Sequence, residues 1–158
     1  MKSRWLALFS LTIALHACGE DASTPQARTG PDPWASALAL PRAVDRNPDP
    51  RVVEIDLEAR MGEWEISPGR RVRAMTYNGS VPGPRIEARV GDTLVVHFTN
   101  RLDEPTTIHW HGLRVPANMD GGPHSQPPIA AGATFEYRFP LLDAGTFWYH
   151  HHMNESVQ

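Results

Sequence analysis

From Arg51 to His152 apolar side chains recur at every second position in short runs broken by turn residues, and this constrains the fold more than any other feature. Val53, Ile55 and Leu57 share one face of Arg51–Arg60; Gly62–Pro68 and Arg71–Tyr77 follow, divided by a Ser-Pro-Gly turn. After the turn-rich stretch Asn78–Pro84 and a short extended piece, Arg85–Val90, Thr93–Thr99 alternates Leu94, Val96 and Phe98 against Val95 and His97. Thr106–His111, a long Pro- and Gly-rich loop over Val115–Gly132, Thr134–Phe139 with Phe135, Tyr137 and Phe139, and Gly145–His152 complete the series. A period of two is the signature of half-buried strands, and no segment carries the helical period. The 15 prolines also disfavour long helices. Strands at this spacing predict an all-β sandwich of Greek-key type over residues 51–158.

Two of these strands carry histidines in an unusual arrangement. His109-Trp110-His111 and His150-His151-His152 each place two imidazoles two residues apart. Alternate residues leave the same face of a strand, with roughly 6.5 Å of rise between them. That span is long for two ligands of one ion and suits two neighbouring ions. Brought side by side, the pairs form a patch of four imidazoles, a ligand set for copper, zinc, iron or nickel. His151 points to the opposite face, His97 reads as a surface residue and His124 as solvated. Trp110 and Trp148 read as packing residues turned away from the patch, and Met119 and Met153 as packing rather than thioether ligands. With a net charge of −3 and no basic stripe interleaved with aromatics, nucleic acid is excluded as a partner.

The amino-terminal part has a different composition. Lys2 and Arg4 precede an apolar run, Trp5–Ala17, too short to span a bilayer. Residues 1–22 therefore read as an export signal. Its end, Leu15-His16-Ala17-Cys18-Gly19, resembles a bacterial lipobox, with His16 where a small residue is usual. A lipoprotein in the periplasm or outer membrane is expected, attached to the membrane only through acyl chains on Cys18; a plain secretory signal is the alternative. Residues 23–50, rich in Pro, Ser, Thr, Ala and Asp, are expected to form an extended tether.

Five segments, in order across about residues 75–153, resemble the multicopper oxidases, the group of laccases, bilirubin oxidases and bacterial copper-efflux oxidases. They are Tyr77-Asn78-Gly79-Ser80-Val81-Pro82-Gly83-Pro84, Gly91-Asp92-Thr93, His109-Trp110-His111-Gly112-Leu113, Met119-Asp120-Gly121, and Ala144-Gly145-Thr146-Phe147-Trp148-Tyr149-His150-His151-His152. The resemblance implies the amino-terminal cupredoxin (plastocyanin-like) domain of such an enzyme. By position it assigns His109 to the type 2 copper of a trinuclear cluster and His111, His150 and His152 to the type 3 pair. It also implies that Asp120 relays protons during dioxygen reduction, as a carboxylate near a copper-bound water can.

The same resemblance marks what this chain does not carry. A type 1 copper needs a cysteine thiolate beside two histidines, and the single cysteine is Cys18. The family's cluster takes eight histidines, four of them from its last domain. In the family a further strand follows and closes this sandwich, so the domain is expected to lack its last strand and the chain to be part of a longer oxidase completed by C-terminal cupredoxin domains. The intact enzyme would take electrons from a small molecule or metal ion and pass them to dioxygen, giving water; alone, this chain would bind copper without turnover. A stand-alone copper-binding or copper-sequestering lipoprotein is the second reading, and a cupredoxin-like interaction domain without metal the third.

Overall fold

A computed structural model describes residues 40–153. The export-signal expectation for residues 1–22, and residues 23–39 of the expected tether, lie outside them. Residues 40–50 of that tether lie along the domain. Arg42 bridges Arg85, the Ala43 and Arg85 amides donate to Arg85 and Pro41 carbonyls at 2.9 and 2.7 Å, and Ala43 packs on the core.

Alternating residues build the larger sheet. β1 (Val52–Ser67) buries Val53, Ile55, Leu57 and Ala59. The two segments expected on either side of Met61 are one continuous strand, because β2 (Arg70–Tyr77) pairs along it from Ala59↔Tyr77 to Ser67↔Arg70. Gly62 does not interrupt it: it faces Ala74, and the Thr76 methyl lies 3.0 Å from where a Cβ would stand. β3 (Thr93–Asn100) runs parallel to β1 and antiparallel to β5 (Thr134–Pro140), giving the order β2-β1-β3-β5. Arg85–Val90 contributes only the Arg42 bridge.

The second sheet pairs β4 (His109–His111) with β6 (Trp148–His150). The connection between β4 and β5 contains one 3-10 turn, Ala117–Met119. Regular structure among the described residues is thus nearly all strand, as expected. Phe98, Tyr137 and Phe139 from the large sheet meet Ile108 and Trp110 in one core. Trp110 makes edge contacts with Tyr137 and Phe139 at ring separations of 5.5 and 5.3 Å. Burying aromatic pairs in this geometry adds about 0.5–1.5 kcal/mol each beyond area burial, so the core-facing side of β4 is firmly seated. Its opposite face is where the histidines emerge.

Candidate metal centre

β4 and β6 are antiparallel, with His109 opposite His150, Trp110 opposite Tyr149 and His111 opposite Trp148. The register settles which face each residue uses. Trp110 and Tyr149 turn inward, their rings 5.8 Å apart, while His109, His111 and His150 gather on the other side. One ring nitrogen from each of these three lies within 4.8 Å of the other two. Ring centroids are 5.5 Å apart for His109–His111, 5.2 Å for His109–His150 and 5.6 Å for His111–His150. His152 continues the cluster, 5.2 Å from His109 and 6.1 Å from His150, but is not in the group of three. The structure thus brings all four predicted imidazoles together; it does not divide them between ions.

Two of the rings have a defined tautomer. His109 Nδ1 is 2.9 Å from the Asp120 carbonyl oxygen. A carbonyl only accepts, so Nδ1 carries the proton and Nε2 of the neutral ring keeps its lone pair. Asp120 Oδ1 lies 3.0 Å from the same Nδ1. With that N–H given to the carbonyl, this buried carboxylate oxygen has no hydrogen-bond partner of its own among the described residues. Asp120 therefore meets His109 twice, through its carbonyl and its carboxylate. His150 Nδ1 donates to the His151 carbonyl at 2.6 Å, and its Nε2 faces His111 Nδ1 at 3.4 Å. Burial, and then the neighbouring His109, His111 and His152, hold the His150 pKa below the ordinary 6.5, so His150 is in its ligating, neutral form at neutral pH.

A buried bracket that the sequence did not reveal fixes the Asp120 loop. Gly121 has φ +70°, and a Cβ there would overlap the Ile108 carbonyl and stand 2.9 Å from His109 N. The Gly121 carbonyl accepts from Thr107 Oγ1 at 2.8 Å, and its N–H donates to Gln126 Oε1 at 3.0 Å. Gln126 Nε2 and the Ile108 N–H both donate to the Tyr137 hydroxyl, at 2.9 and 2.8 Å. Burial pushes the Tyr137 phenol up to about 12, so it remains a neutral acceptor. These bonds clamp the Asp120 loop onto the residues entering β4.

The expectation that Trp148 turns away from the histidines is overturned. Positions 148 and 150 share parity on β6, and the Trp148 ring stacks on His150 at 4.2 Å and on His111 at 4.7 Å, each pair inclined by 25°. Trp110 does pack inward as expected. His124 is exposed, and His97 lies on the outer face of the large sheet, its Nε2 2.8 Å from Glu54. Met119 packs against the core. A bidentate pair between Arg114 and Asp143, with contacts of 2.8–3.1 Å, ties the segments flanking β4 and β6.

Three converging imidazoles with a fourth beside them on a β-sandwich, and a carboxylate behind one ring, form a nitrogen-rich donor set of the kind that suits a metal ion. A family profile described as multicopper oxidase matches residues 58–158. The chain belongs to the multicopper oxidase family. It is 46% identical over 99 residues to a copper resistance protein A homolog of Pseudomonas syringae, covering 61% of this chain and 17% of that protein. It is likewise 46% identical over 85 residues to the multicopper oxidase MmcO of Mycobacterium tuberculosis, covering 54% and 17%. A solved multicopper oxidase from Campylobacter jejuni, titled a metallo-oxidase, superposes with a TM-score of 0.65 at 42% identity over 72% of this chain and 24% of that one. The fold is therefore cupredoxin-like. The chain spans about a sixth of the length of these curated relatives.

Proposed function

We propose that this chain supplies four histidines to a trinuclear copper cluster: His109 to the type 2 ion, and His111, His150 and His152 to the type 3 pair. The observation that carries this reading is the convergence of His109, His111 and His150 nitrogens within 4.8 Å on a fold shared with multicopper oxidases. The remaining ligands and the electron-entry copper come from elsewhere, since Cys18 is the single cysteine. The complete enzyme is exported and couples four one-electron oxidations of a small-molecule or metal-ion donor to conversion of dioxygen and four protons into two waters. Copper bound here supplies the one-electron chemistry towards dioxygen. This chain's residues orient it: the Asp120 carbonyl holds His109 with Nε2 outward, and the Asp120 carboxylate oxygen beside that ring is placed to accept and return protons. The likeness to oxidases favours this over a stand-alone copper-sequestering protein.

The test is copper titration of the purified full chain, read by electron paramagnetic resonance. Nitrogen hyperfine structure from several imidazoles is expected. His111→Ala and His150→Ala should each weaken binding by about 100-fold, the upper range for disturbing ligand support, with His124→Ala unchanged. Equal affinity in all three variants sinks the assignment.

A further inference from the structure

Trp148 is 58% exposed, among the most solvent-open of the large apolar residues described. A tryptophan placed for burial belongs on the side of β6 that Tyr149 occupies, where the core begins. Trp148 sits instead on the histidine face, opposite His111 and two residues before His150. Its ring lies nearly parallel to both imidazoles, at 4.2 Å from His150 and 4.7 Å from His111. Those two imidazoles are inclined to each other by 42°.

His111 is itself exposed. An exposed imidazole on a three-residue strand has several rotamers open to it, and each must be given up when a metal binds. Contact with a broad, rigid ring removes that freedom beforehand, because the imidazole is held against it in one orientation. His150 has a second restraint, the hydrogen bond from Nδ1 to the His151 carbonyl. For His111 the stack is joined by the 3.4 Å approach of Nδ1 to His150 Nε2 and by an edge contact with the His109 ring at 5.5 Å.

We propose that Trp148 is a positioning residue for the metal centre: its indole is a shelf that fixes the His111 and His150 rings in their ligating orientation before metal arrives. This role rests on the copper-binding reading above. The stacked plane is what matters, so a smaller aromatic ring at this position substitutes and an apolar side chain without a ring does not. Two aromatic contacts of ordinary strength correspond to about 10-fold or more in a binding constant.

The experiment compares the full chain with Trp148→Phe and Trp148→Leu. The first readout is metal-free: proton NMR of the histidine rings, assigned with His111→Ala and His150→Ala. Ring protons of both histidines are expected to be shifted upfield by the indole, and to move towards ordinary positions in Trp148→Leu. The second is Cu(I) affinity measured by competition with a chromophoric chelator. Trp148→Leu is expected to bind about 10-fold more weakly, and Trp148→Phe to recover most of that loss. Wild-type affinity in Trp148→Leu, or equal loss in both variants, overturns the proposal. Absence of the upfield shifts in the metal-free wild-type chain overturns the stack itself. Shifts present in a chain that binds no copper overturn the metal reading, and with it the positioning role.

Discussion

Removing one oxygen atom, as in Tyr137→Phe, tests whether the loop that carries Asp120 is held by the bracket beneath it. Tyr137 is fully buried, and its hydroxyl accepts from the Ile108 N–H at 2.8 Å and from Gln126 Nε2 at 2.9 Å. Phenylalanine keeps the ring contacts with Phe98, Trp110 and Phe135 but strands both donors. A buried donor left without a partner costs about 1–3 kcal/mol, so the pair amounts to about 2–6 kcal/mol. For a domain of roughly 100 residues that corresponds to a melting temperature lower by about 10–30 °C. The comparison variant is Tyr149→Phe, whose hydroxyl donates to the Pro84 carbonyl at 2.9 Å in a partly buried position; losing that bond should cost about 1 kcal/mol. Urea unfolding of the metal-free chain at constant pH measures both. Because Ile108 precedes His109 and Gln126 holds Gly121, Tyr137→Phe should also weaken copper binding, while Tyr149→Phe should weaken it less. A Tyr137→Phe penalty no larger than that of Tyr149→Phe refutes the bracket.

Gly121→Ala should be more disruptive still, since the added methyl meets the Ile108 carbonyl and the φ of +70° is unfavourable for alanine. A loss of at least about 2 kcal/mol in urea unfolding is expected, together with loss of copper binding; near-native stability contradicts the close approach. Acidification should weaken copper binding by placing protons on the imidazoles. His150, held below 6.5 by burial and by its histidine neighbours, should keep its ligating form to lower pH than a free histidine. The sign for stability follows. Between the depressed native value and 6.5 the unfolded chain binds more protons, so the metal-free domain gains stability as pH rises through that window. An NMR titration midpoint for His150 above 6.5 contradicts this.

The faces of the short strands were legible because a period of two is a local property. It put His109 and His111 on one side and Trp110 on the other, and the structure does the same. The same period puts Trp148, two residues before His150, on the histidine face, so the stack of the two rings was legible in their spacing. The limits of β1 were not legible, because a glycine weakens a strand in isolation but not when β2 pairs along both sides of it and Thr76 covers it. Proline content likewise made residues 40–50 read as a tether, although proline lacks only the N–H: the Pro41 carbonyl is free to accept from Arg85, and does. The Gln126–Tyr137–Ile108 bracket lay furthest from view, since a glutamine in a loop and a tyrosine in an alternating strand carry no mark of each other. Yet it is this bracket that brings the Asp120 carbonyl to His109 Nδ1, and a carbonyl there fixes which nitrogen keeps a lone pair. The histidine spacing names the ligand type and its face; contacts between residues distant in the chain decide whether a ring points a usable nitrogen at a metal.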